Sequence, residues 1–181
     1  METIKKYLKT CGVLNLIVMG VTLLSSLYVL LIEHRLISKY VQTLQGDDKL
    51  GAGLGLGFLL VFLIIAAVVM FAFALTELII GLILLMNAKK DEFNRTPIGG
   101  VISGVVTMLL SGAGFAFYCI FSFDTAGFSA GSKILYAGGL LICVGCAIAS
   151  IVMAALIRNE ERSLREEPLK RVGMGKDEFF Y

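Results

Sequence analysis

The sequence predicts an all-α membrane protein, a four-transmembrane-helix bundle with its N-terminus and C-terminus both cytoplasmic. Three observations lead there. Of 181 residues, 57% are hydrophobic and only 17% charged, against about a quarter charged in ordinary soluble domains. Four segments are apolar over the roughly 20 residues a helix needs to cross a hydrocarbon core. The basic residues gather in alternate connections. A soluble enzyme, a nucleic-acid binder and a disordered scaffold are all poor fits to such a composition.

The first span covers about residues 12–32, interrupted only by Asn15, Thr22, Ser25, Ser26 and Tyr28. Lys5, Lys6 and Lys9 precede it, as they would a signal peptide, but the apolar run is long and lacks a clean small-residue cleavage site, so a retained span is expected. The second apolar stretch, Gly51 to Met86, is broken by Thr76 and Glu77 alone. With no polar turn to divide it, it reads as one long helix with its membrane part at 57–86. Its glycine-rich start (Gly51, Gly53, Gly55, Gly57) is either the head of that helix or an irregular lead-in. The third and fourth spans cover 98–121 and 134–157. Residues 1–167 form one transmembrane domain, and 168–181 form a flexible cytoplasmic tail that starts where Pro168 ends the last helix.

Orientation follows from lysine and arginine. Twelve lie in the N-terminus, the middle connection and the tail, against four in the other two connections. The positive-inside rule therefore puts both termini and the middle connection in the cytoplasm. Asn94-Arg95-Thr96 matches a glycosylation acceptor but falls on that cytoplasmic side. The first external connection, from about Glu33 to Leu50, contains the only histidine, His34, and an amphipathic run (Leu36, Ile37, Tyr40, Val41, Leu44). This run suits a surface helix or an extension of the first span.

Helices in lipid associate through close packing at small residues. Gly100, Gly104, Thr107, Ser111 and Gly114 recur every three or four residues down the third span. Gly139, Cys143, Cys146, Ser150 and Ala154 do so down the fourth. On the second, Ala67, Ala74 and Gly81 repeat in sevens. These seams predict a closely packed bundle, open also to contacts with a second copy or another subunit. Cys143 and Cys146 form a CxxC deep in a span with no histidine nearby, so packing is expected and not metal or redox chemistry. Cys11, beside Lys9, is a candidate palmitoylation site, with helix packing as its other reading.

Glu77 stands as the one charge well inside a span and points most directly to function. A charge at helix centre costs roughly 2.5–3.5 kcal/mol on insertion scales, so such residues face a bundle interior. Counting along the helices from their basic ends sets Glu77, Thr107 and Ser150 in one mid-membrane polar layer, which Thr22 of the first span could join. Burial without a basic neighbour favours the neutral acid, which can lock two helices by a hydrogen bond. Proton or cation handling, and pairing with another subunit, are the functional readings of the same residue.

The plan of four spans with both ends inside resembles claudins and tetraspanins in topology alone. The chain has no tryptophan and no cysteine in either external connection, so the marker residues of both families are missing. It also lacks a phosphate-binding glycine loop, a metalloprotease HExxH and a nucleophile elbow. No catalytic residue, metal or cofactor is expected. The leading expectation is a non-enzymatic membrane protein acting by lateral association, as an accessory subunit, assembly factor or membrane-organising oligomer. Its partners would be other membrane subunits, itself and lipids. The alternative is a small oligomeric transporter or channel component with Glu77 in the pathway.

Overall fold

The computed structural model describes residues 2–43, 47–89, 98–124 and 129–174, and all statements below concern these. They form five α-helices and one π-turn: α1 (Glu2–Tyr28), the π-turn (Val29–Glu33), α2 (His34–Thr43), α3 (Asp47–Ala88), α4 (Ile98–Asp124) and α5 (Ala130–Met174). There is no strand among them. Four helical stretches are long and apolar enough to cross a membrane: Glu2–Lys39, Leu60–Ala88, Ile98–Ser122 and Ala130–Ser163. Asn94 and its acceptor motif, and the aromatic end Phe179–Tyr181, lie outside the described residues.

Inward positions repeat at alternating steps of four and three. On α1 they are Ile4, Leu8, Cys11, Asn15, Val18, Thr22, Ser25 and Val29; on α3 they are Leu63, Ala67, Met70, Ala74, Glu77, Gly81 and Leu84. A 3.5-residue period is the seam of left-handed helix packing. α1 packs chiefly on α3 and α4 on α5, and the two pairs close the bundle through α1 with α5 and α3 with α4. α1 also touches α4, so its inward stripe runs along the middle of the bundle.

The π-turn has a geometric job. Beyond Val29 the inward stripe steps by four to Glu33 and by four again to Ile37. In a regular helix each such step drifts about 40° off the face. The wider π-turn absorbs that drift, so Glu33 and Ile37 stay buried.

The structure takes one side of two open readings of element ends and departs from a third expectation. The first apolar segment does not give way to a loop at Glu33, because the chain stays helical through the π-turn into α2. α3 starts at Asp47, ahead of the glycine-rich run, and α2 packs beside it. α5 passes through Pro168 to Met174 instead of ending there; proline's fixed φ is compatible with a helix and removes one hydrogen bond.

The α1–α3 contact turns on two facing glycines. A Cβ at Gly12 would lie 2.8 Å from Leu85 Cγ and 3.1 Å from the Gly81 carbonyl oxygen, and one at Gly81 would lie 3.1 Å from the Gly12 carbonyl oxygen. Each backbone is the other's neighbour, and a side chain at either position pushes the helices apart. Gly12→Val should therefore cost about 1–3 kcal/mol by overpacking and lower the melting temperature in detergent. Gly20→Ala, where a Cβ meets nothing within 4 Å, should leave it unchanged or raise it. Equal effects of the two substitutions would contradict this crossing.

Candidate functional site

The bundle interior holds two carboxyl groups, Glu77 on α3 and Glu33 on the π-turn, each 0% exposed. Among the described residues, neither forms an ion pair.

Glu77 sits on the inward stripe between Ala74 and Gly81, where small side chains leave room for it. Ser111 on α4 donates a 2.7 Å hydrogen bond to Glu77 Oε1, while Oε2 has no partner. Thr22 on α1 lies beside the same carboxyl but outside hydrogen-bonding geometry, its Oγ1 unpartnered. Cys143 faces this layer from α5. Four helices thus meet around one carboxyl.

The other residues expected in this layer are placed differently. Thr107 Oγ1 donates to the Ser103 carbonyl one turn back on its own helix, at 2.9 Å. Ser150 Oγ contacts Met108 Sδ at 3.8 Å and faces Cys11. Helical side chains lean towards the N-terminus of their own helix. Glu77 on α3 therefore leans away from the Lys-rich end, and Thr107 on the antiparallel α4 leans towards it. Ser111, one turn further along α4, is the hydroxyl that meets the carboxyl.

The small residues of the seams are occupied within the bundle. Ala67, Ala74, Gly81, Gly104, Ser111, Gly139 and Cys143 are buried, and Gly100, Gly114 and Cys146 are half-buried. Gly104 accommodates the Asn15 side chain, Gly114 faces Met70, and Gly139 faces the Phe115 ring. Cys11 is fully buried, and an acyl chain on its sulfur would have to open the bundle.

Glu33 belongs to a second cluster at the far end. Ser132 donates a 2.6 Å hydrogen bond to Glu33 Oε2, and Tyr136 donates to the same oxygen at 3.5 Å. Tyr28 and Ser129 hydroxyls lie 3.2 and 2.7 Å from Ser132 Oγ. Ser129 also caps α5, accepting a hydrogen bond from the Ser132 backbone N–H at 3.1 Å. The carboxyl therefore sits on the first turn of α5, where the aligned peptide dipoles favour negative charge. Glu33 Oε1 remains without a partner. The Tyr136 ring stacks at 5.0 Å on Tyr118, whose hydroxyl is also unpartnered.

Sequence reasoning missed Glu33 because His34 and Arg35 follow it and the apolar run stops there. Two signals were available: the inward stripe of α1 reaches it in one four-residue step, and Ser129, Ser132 and Tyr136 recur at helical spacing opposite.

On α5, Cys143 and Tyr136 mark the two levels, seven residues or about 10 Å apart. Phe115 and Met70 fill much of the space between them. Along α1 the polar atoms continue: Asn15 Oδ1, Thr22 Oγ1 and Ser25 Oγ are buried without partners, like the free oxygens of both carboxyls. Buried polar atoms of this kind are ordinarily satisfied by ordered water or an ion. Beyond Asn15, towards the Lys-rich end, Ile4, Leu8, Leu84, Val101 and Ile157 close the interior with apolar side chains.

Comparison with known proteins finds no matching family model, no matching curated protein and no matching solved structure.

Removing the donor to a buried carboxyl leaves that carboxyl unsatisfied, so Ser111→Ala should cost about 1–3 kcal/mol of stability. In a Glu77→Leu background the same change should cost far less, whereas Thr107→Val should be mild in both. A double-mutant cycle of thermal stability in detergent measures this. Equal Ser111→Ala losses in both backgrounds would break the assignment.

Proposed function

We propose that this protein is a non-enzymatic, multi-pass membrane protein that relays protons, working as a small transporter or channel component with Glu77 and Glu33 as its carriers. The observation supporting it most is the pair of fully buried carboxyls, each with a free oxygen, on a helix interface lined by unpartnered hydroxyl and amide oxygens. Intramembrane acids in series are the usual material of proton pathways. A proton taken up on Glu33 passes along water held by Ser25, Tyr118 and Thr22 to Glu77, and leaves Glu33 ionised on the first turn of α5. Phe115 and Met70 narrow the passage between the two acids. The apolar plug around Leu8 and Leu84 has to part for release at the Lys-rich end, so the relay is gated and not an open pore.

Reconstitution into liposomes carrying an internal pH dye tests this. An imposed potential should drive acidification or alkalinisation above that of empty vesicles. Glu77→Gln should reduce the rate at least tenfold while leaving fold and yield intact, and Glu33→Gln should reduce it as well. Flux unchanged in Glu77→Gln, or none above background in the wild type, would reject the relay.

A second reading, lateral association with another membrane subunit or a second copy, draws on a different observation. The packing seams are filled internally, but the first part of α3 is not: Leu54 and Phe58 are 62% and 68% exposed, beside the open Gly55 and Gly57. Stoichiometric co-purification in mild detergent, lost in Phe58→Ser, would support this reading. A monomer active in proton flux would leave only the first.

A further inference from the structure

Two cavities of about 850 Å³ each open at the Lys-rich end of the bundle. The first lies between the start of α1 and the end of α3. Lys5, Lys6, Lys9 and Lys89 surround it, with Glu2 the one acid among the described lining residues, and Leu85 and Ala88 line its apolar side. The second lies between α4 and α5. Ile98, Ile102 and Ala154 line it towards the apolar spans, and Arg158 and Asn159 stand beyond them.

Both cavities share one layout. The apolar walls are continuous with the membrane-spanning part of the bundle, and the charged groups lie where a span meets water. The two sides of the first cavity come from different helices: α1 supplies three lysines, and α3 supplies Leu85, Ala88 and the adjoining Lys89. The Gly12–Gly81 crossing fixes their separation, because it clamps the two helices together just inside the cavity. Exposed lysines on one helix face would be an unfocused basic surface. Lysines from two chain segments around a recess are a concave cation cage with an apolar entrance.

We infer that the α1–α3 cavity binds the headgroup of an anionic glycerophospholipid, its phosphate held by Lys6, Lys9 and Lys89 and its acyl chains descending past Leu85 and Ala88. The charge complementarity sets the sign of the headgroup, and the apolar wall requires a ligand with a tail. This site is independent of the relay through Glu77.

Native mass spectrometry of the full-length protein, exchanged into detergent and titrated with phosphatidylglycerol or phosphatidylcholine, tests it. Juxtamembrane lysines are worth about 1 kcal/mol each against anionic lipid, or about fivefold in affinity. Phosphatidylglycerol should bind at least tenfold more tightly than phosphatidylcholine. The Lys6→Gln/Lys9→Gln/Lys89→Gln variant should lose about a hundredfold by the same scale. Lys39→Gln, at the opposite end of the bundle, should lose nothing. Lysines 6, 9 and 89 are exposed, so the triple variant should keep its helicity and melting temperature, and circular dichroism checks that. Equal binding of the two lipids would overturn the proposal, as would unchanged phosphatidylglycerol affinity in the triple variant. Inorganic phosphate displacing the lipid at equal concentration would overturn it too, since the site would then need no tail.

Discussion

The bundle depends on how closely α1 approaches its neighbours. Lipid tails are as apolar as leucine, so within a membrane nothing akin to hydrophobic burial would drive these helices together. What holds them is contact at short range, and contact requires small residues where backbones meet. Gly12 and Gly81 face each other across α1 and α3, and Gly104 makes room for Asn15. Because these approaches run along one stripe of α1, the polar residues on that stripe are enclosed by three other helices. Enclosure turns Asn15, Thr22, Ser25 and Glu33 from lipid-facing liabilities into interior groups. It also makes the position of Glu77 tolerable.

The two carboxyls are held in different ways. Glu33 receives the Ser132 and Tyr136 hydroxyls beside the first turn of α5. Glu77 receives one serine hydroxyl and lies far from any helix end. The same hydrogen bonds also tie α4 to α3 and α5 to the π-turn. A structural tie and the proposed proton relay would use the same geometry, and exchange with water distinguishes them.

Much of the architecture was legible in the sequence because period and length are one-dimensional properties. The seven-residue spacing of Ala67, Ala74 and Gly81 and the run through Gly104 and Ser111 marked the inward faces. The unbroken stretch around Glu77 marked a single long helix. Counting residues from an interface was less successful, since it ignores the lean of a side chain along its helix. That lean moved the partner of Glu77 from Thr107 to Ser111. Glu33 was hidden for another reason: charged neighbours ended the apolar run, and only a π-turn, which leaves no mark in composition, keeps the residue facing inward. Pro168 similarly read as a stop although a helix can run through it.

On the proposed relay, water reaches Glu77 from within the bundle. Infrared spectroscopy of the protein in lipid bilayers, before and after transfer to D₂O, measures this directly. The carbonyl stretch of the Glu77 acid is identified by its disappearance in Glu77→Gln. On that relay this band should shift promptly on transfer, because the free carboxyl oxygen and Thr22 would share exchangeable water. A band that keeps its position for hours while the helices remain intact would contradict it and leave Glu77 as a dry lock between α3 and α4.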